Sequence, residues 1–215
     1  MDTNTTRLDE VRSSAEKAIS DLIALYQRNP WDFLYESDIQ GALSGRLRAA
    51  LPADLSVPDG SITRHFNRSK TEYPSSERFD AAIVAPEIGS DAYTQSPCGY
   101  CDEDMRIWQL PVLIAVELKH LVRGFRAAMQ YSGLEADIVK MDNYRSRSGL
   151  ENNFCGVALL FVQDQPEWEE LQCLGKNRTL KWDADVFALD EAVTGWVIAP
   201  KDENGIWRVA PVITC

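Results

Sequence analysis

Between Leu8 and Gln27 the apolar residues Leu8, Val11, Ala15, Ile19, Leu22 and Leu25 recur every three or four positions with charges between them, which predicts a helix with one apolar stripe. Thr6 is a candidate N-cap, and Asn29-Pro30 stops the helix. A second helix is predicted from about Asp32 to Leu51, burying Ile39, Ala42, Leu43, Leu47, Ala50 and Leu51, with Pro52 ending it. Residues 52–61, which hold Pro52, Pro58 and Gly60, read as loop.

The apolar runs then shorten to β-like lengths. Strands are predicted at Ile62 to Phe66, Phe79 to Ala85 and Pro111 to Leu118, the last two separated by an insertion over 86–110. A helical pattern returns with Leu121, Val122, Phe125, Ala128 and Met129, and a second helical stretch follows from Leu134 to Tyr144. Cys155 to Val162 is a continuous apolar run, as expected of an interior strand covered on both faces. Trp196 to Ala199 and Ile206 to Val212 read as two closing strands joined by a turn at Asn204-Gly205. No internal repeat or low-complexity tract interrupts this order.

Such an order predicts an α/β fold, a central mixed sheet of about four to five strands flanked by helices in three layers. The crossover from 111–118 through 120–144 to 155–162 is expected to be right-handed, which makes those two strands parallel. With 215 residues, 45% of them hydrophobic, the chain can bury about 70% of its unfolded surface in a single domain spanning 1–215. No run approaches the roughly 18 apolar residues of a membrane span, and MDTNTTRLDE lacks the basic start and apolar segment of a signal peptide. A cytoplasmic protein with no membrane partner is the expectation.

Five cysteines, an odd number with Cys155, Cys173 and Cys215 widely scattered, do not form a secreted disulfide framework, and reduced thiols are expected. Cys98-x-x-Cys101 in the 86–110 insertion is half a zinc site at best, since His65 and His120 are both remote in sequence. The six tryptophans are spread along the chain and read as packing anchors. Walker-type phosphate loops and G-x-S-x-G elbows are absent, which leaves nucleotide-driven motors and serine hydrolases without support.

The chemistry-bearing feature is Glu117-Leu118-Lys119, closing the most apolar strand. Alternation puts Glu117 and Lys119 on one face, so that face turns ionic abruptly. Asp80 heads another apolar strand, and if the two strands are neighbours, Asp80 and Glu117 approach one point as a nest for a hard divalent cation. A lysine beside that nest can orient or deprotonate a water and balance charge on a phosphate. Asp137 and Lys140, three residues apart on a predicted helix, read as an ordinary surface pair, as does Glu72 before Tyr73-Pro74 as an exposed hairpin approach.

The constellation of Asp80 with Glu117-Leu118-Lys119 resembles the core motif of the PD-(D/E)xK phosphodiesterases, the restriction-endonuclease-like superfamily. Tyr35-Glu36-Ser37-Asp38-Ile39-Gln40 resembles the segment of the first core helix in which a glutamate faces the active site. The resemblance covers residues 31–162 and leaves 163–215 as a C-terminal extension packing on the core. It departs from the family pattern in two places: Phe79 replaces the proline of the motif, and the 86–110 insertion lengthens the step to Glu117.

The resemblance implies that Asp80, Glu117 and the carbonyl of Leu118 hold Mg²⁺, with Mn²⁺ as a substitute. Lys119 then positions the attacking water, and Glu36 meets the metal directly or through water. The implied activity is that of a nuclease leaving 5′-phosphate and 3′-hydroxyl ends, with DNA expected ahead of RNA. Members of the superfamily serve in restriction, phage defence, repair and recombination.

Charge modifies this picture. A net charge of −11 opposes holding bare duplex by bulk attraction, so a protein partner or a homodimer is expected to supply nucleic-acid affinity. Locally, Lys119 to Arg147 carries six basic residues against three acidic ones, and Ile62 to Arg78 four against two. The alternatives are a binding or scaffold protein on the same fold without turnover, and an unrelated α/β domain with Glu117 and Lys119 on its surface.

Overall fold

The computed structural model describes residues 3–51, 68–73, 77–85, 111–124, 126–148, 153–174, 180–182, 187–189 and 192–200. The predicted strands at 62–66 and 206–212, the loop at 52–61, the insertion with Cys98 and Cys101, and the Asn204-Gly205 turn lie outside them.

Helix α1 spans Thr3–Arg28, so Thr6 lies inside the first turns rather than capping them. Its buried residues Val11, Ala15, Ile19, Leu22 and Tyr26 follow the three-to-four spacing of one face. Asn29-Pro30 ends it as expected, but Pro30–Asp32 forms a single 3₁₀ turn, and helix α2 begins only at Glu36 and runs to Ala50. The delay has a local cause. Asp38 Oδ2 accepts the backbone N–H groups of Leu34 and Tyr35, both at 2.9 Å, and so fixes where the helix starts.

Among the described residues six strands, β5 only two residues long, form one mixed sheet in the order β1-β2-β3-β4-β6-β5. They are β1 (Ser69–Tyr73), β2 (Phe79–Val84), β3 (Val112–Leu121), β4 (Cys155–Val162), β5 (Lys181–Trp182) and β6 (Val193–Ile198). β2 is antiparallel to both of its neighbours, β1 and β3, whereas β3, β4, β6 and β5 run parallel. The parallel pairing of β3 with β4 is the one the crossover predicted, and β4 is buried along its whole length. β5 and β6 come from the segment after residue 162, which therefore extends the sheet itself.

β3 runs three residues beyond its predicted end, and the helical pattern expected from Leu121 does not form there. Gly124, at φ +90°, turns the chain, a conformation that costs a residue without Cβ little. One helix, α3 (Ala127–Ser148), replaces the two helical stretches that the pattern suggested, and α4 (Gln165–Leu174) follows β4.

Two apolar layers hold the sheet. On one face Ile39, Leu43 and Leu47 of α2 join the α1 stripe against Ala81, Ile83, Val116, Leu118, Leu159 and Phe161. On the other, Ala127, Tyr131, Leu134 and Met141 of α3 and Leu171 of α4 cover Ala82, Ala115, Ala158 and Leu160. The result is α/β with helices on both faces of a mixed sheet. Among the described residues no helix is long and apolar enough to cross a membrane. Trp196 is buried beside Phe187, with the Lys181 ammonium 5.0 Å from its ring centroid, and Trp168 packs on the α3 layer.

Candidate active site

The corner between α1 and α2 is fastened to the C-terminal ends of β3 and β4. The Gln163 side-chain amide donates to the carbonyls of Pro30 and Phe33 at 3.3 and 3.2 Å, and Tyr26 Oη lies 3.2 Å from His120 Nε2. These buried contacts bring the start of α2 over the end of β3, which sets Glu36 beside Lys119. Burial pushes the Glu36 carboxyl up, the Lys119 ammonium pulls it down, Asp80 and Asp137 push it up, and a hydrogen bond with the His120 backbone pulls it down; the net direction is up.

One turn further along α2, Gln40 Nε2 donates to the backbone carbonyl of Asp80 at 2.8 Å. That contact pins the head of β2. Alternation would put Phe79 and Ala81 on the same face, yet Phe79 packs toward α3 and Ala81 toward α1 and α2, so the regular pattern breaks at Asp80.

The register of β2 on β3, with Ala81 opposite Val116, carries Asp80 alongside Glu117. Asp80 Oδ2 accepts the backbone N–H of Leu118 at 2.8 Å. The two acids, separated by 37 positions in the chain, thus sit on adjacent strands.

Glu117 and Lys119 share the face toward α3, as alternation requires, and meet Asp137 and Lys140 of that helix. Lys119 Nζ contacts Asp137 Oδ2 at 2.8 Å and donates to the Leu118 carbonyl at 3.1 Å. Lys140 Nζ lies 2.5 Å from Glu117 Oε1 and 3.2 Å from Asp137 Oδ1, and donates to the Arg78 carbonyl at 3.1 Å. Asp137 and Lys140 are therefore not the solvated surface pair their spacing suggested. Asp137 is 13% exposed, and the pair forms the α3 wall of the site.

Electrostatics follow from this crowding. Glu117 is 3% exposed. Burial raises its carboxyl from 4.5 to about 8; the Lys140 hydrogen bond and charge oppose the rise, and Asp80 and Asp137 add to it. For Lys119 burial works against the ammonium, but the Asp137 hydrogen bond and the charges of Asp137, Glu36 and Asp80 outweigh it, so the group stays firmly protonated. That leaves Lys119 able to orient a water and to stabilise anionic charge, and unsuited to removing a proton.

No protein-family model matches the chain, and neither a curated protein nor a solved structure matches it. The site is thus read from its own geometry. Four carboxylates, Glu36, Asp80, Glu117 and Asp137, face two ammonium groups, Lys119 and Lys140, which leaves two negative charges unbalanced when all are ionised.

A hard divalent cation matches that deficit and favours oxygen donors of this kind. Among the described residues no three His, Cys, Asp or Glu side chains form a ready metal cage. The donors implied by the sequence resemblance, Asp80, Glu117 and the Leu118 carbonyl, would make a smaller set, and one or two protein carboxylates with several waters is the usual Mg²⁺ environment.

Outside this cluster, Glu72 pairs with Arg78 at 3.1 Å on the surface, in keeping with an exposed hairpin approach. Gln130 lies on the first turn of α3. Sequence reasoning missed Asp137 and Lys140 as site residues. The available signal was apolar spacing: Leu134 and Met141 define the buried stripe of α3, and Asp137 falls between them on the same side of the helix.

Proposed function

We propose that the chain is a metal-dependent nuclease with a restriction-endonuclease-like core, hydrolysing phosphodiester bonds of nucleic acid, with DNA the expected substrate. The observation that carries the reading is the placement of Asp80 alongside Glu117 on adjacent strands, with Lys119 on the next residue of the Glu117 face and Glu36 closing the site from α2. A bound Mg²⁺ or Mn²⁺ would be held by Asp80, Glu117 and the Leu118 carbonyl, and would supply Lewis-acid stabilisation of charge on the scissile phosphate.

The protein's own groups divide the remaining work. The Lys119 ammonium orients the attacking water and faces the phosphate oxygens. Because Lys119 stays charged, Glu36, opposite it, holds the proton that the water gives up as its oxygen bonds to phosphorus. The bond from phosphorus to the 3′ oxygen breaks, and that oxygen leaves as a hydroxyl after taking a proton from solvent. The net charge of −11 assigns much of the nucleic-acid affinity to a protein partner or a second copy of the chain.

One contact favours a second reading, a binding scaffold without turnover: Lys140 already occupies Glu117 Oε1. Incubating DNA and RNA, single and double stranded, with Mg²⁺ or Mn²⁺ beside Asp80→Ala and Lys119→Ala separates the two. Cleavage by the wild type that disappears in both folded variants supports the nuclease. Intact nucleic acid throughout, with no metal binding by calorimetry, leaves the scaffold.

A further inference from the structure

Lys140 occupies the position of a counter-ion that a metal would have to replace. Its Nζ meets Glu117 Oε1 at 2.5 Å, on a carboxylate that is 3% exposed. Lys119, the other ammonium of the site, pairs with Asp137 Oδ2 and donates to the Leu118 carbonyl, and it makes no contact with Glu117 among those the structure shows. Only Lys140 pairs with a Glu117 oxygen directly among the described residues. An ammonium and a divalent cation on the same carboxylate repel strongly at such separations, so the two exclude each other.

The rest of the Lys140 environment suits displacement. The side chain is 26% exposed, on a flexible four-carbon stem. Releasing Glu117 leaves it the Arg78 carbonyl at 3.1 Å, Asp137 Oδ1 at 3.2 Å and the face of Phe79, whose centroid is 5.6 Å away. The ammonium can therefore retreat from Glu117 without losing all its partners.

We propose that Lys140 is a displaceable internal cation, seated on the Glu117 carboxyl group, that sets the affinity and the concentration threshold of the site for divalent cations. The inference rests on the metal-dependent reading above and adds to it a residue that acts against metal binding. It keeps the resting protein free of metal at low cation concentration and leaves an ammonium on the α3 wall once the metal is in place.

Titration of the full-length protein with Mn²⁺ alone, followed by calorimetry, tests it. Lys140→Met and Lys140→Gln are expected to bind Mn²⁺ at least about tenfold more tightly than wild type, while Lys140→Arg, which keeps the charge, stays within about threefold of it. Adding Asp80→Asn to Lys140→Met should remove the gain. Thermal melts identify the variants that fold, and the Gln variant carries the comparison if the Met variant does not.

If wild type binds Mn²⁺ through Asp80 but neither neutral variant binds more tightly, Lys140 has no such role and the metal reading survives. If no variant binds Mn²⁺ at all, both readings fall. Tight binding that persists after Asp80→Asn lies elsewhere and also overturns the inference.

Discussion

Replacing Glu117 by glutamine should stabilise the metal-free protein in a pH-dependent way. Glu117 carries a carboxyl that titrates near 4.5 in an unfolded chain and at about 8 in the fold, because burial and the neighbouring acids disfavour its charge. Below pH 4.5 it is protonated in both states and costs nothing. As pH rises from 4.5 to about 8 the unfolded chain releases this proton and the fold retains it, so stability falls by about 1.4 kcal/mol per pH unit. The full loss is about 5 kcal/mol by pH 8, and about 3 kcal/mol at pH 7, a large part of a typical domain's 5–15 kcal/mol.

Glutamine matches the protonated acid in size and has no charge to lose. In EDTA, denaturant unfolding of Glu117→Gln and wild type should give equal stabilities near pH 4 and diverge above it, the variant ahead by about 3 kcal/mol at pH 7. Taking the difference between the two proteins cancels the titration of groups remote from residue 117. On the metal-dependent reading proposed above, saturating Mn²⁺ should reverse the order, because a cation held by the carboxylate of the folded wild type would drive off its proton. A difference that stays flat from pH 4 to 8 would refute the assignment of Glu117 as a buried acid held neutral by its surroundings.

Further outcomes follow from other parts of the fold. His120, buried against Tyr26, is lowered from 6.5 to about 4 by burial, with Asp38 pulling upward; its imidazole resonances should stay constant from pH 8 to 5 in an NMR titration. The stability tied to that group is complete above pH 6.5 and declines by about 3 kcal/mol as pH falls to 4, and a midpoint near 6.5 would contradict the burial. Gly195→Ala should destabilise by about 1–3 kcal/mol in denaturant unfolding, since a Cβ there would stand 2.7 Å from both Ile138 Cδ1 and Leu180 Cδ2. Leu43→Ala, deleting a fully buried contact between α2 and the sheet, should cost about 2–5 kcal/mol by the same assay.

Element identity was legible where burial was simple. β4 could be read residue for residue because both of its faces are covered, which leaves no polar position to confuse the pattern. The end of β3 was harder. The strand was predicted to stop at Leu118, but His120 turns inward to Tyr26 and Lys119 is claimed by Asp137, so two polar side chains continue a buried strand. Gly124, whose φ of +90° ends that segment, was the local breaker signal. The start of α2 was misplaced for a similar reason: Asp38, inside the predicted helix, caps it by bonding back to Leu34 and Tyr35.

The site was half legible, and the missing half shows what spacing can convey. Glu117 and Lys119 could be paired from alternation alone, because a strand has only two faces and the residues are two apart. Asp137 and Lys140 share a helix side at any location, so their spacing says that they are neighbours and nothing about what lies opposite. What decides their role is that α3 lies across the strand end at which β3 turns ionic. There the Lys119 stem passes over Gly133 of α3 at ordinary contact distance. A helix crossing a strand end that carries a glutamate and a lysine has to offer them partners, since an unpaired buried charge costs several kcal/mol and a paired one far less. Asp137 and Lys140 answer Lys119 and Glu117 in that order, acid to base and base to acid, so the residues that make the site ionic also select the face that α3 turns toward it.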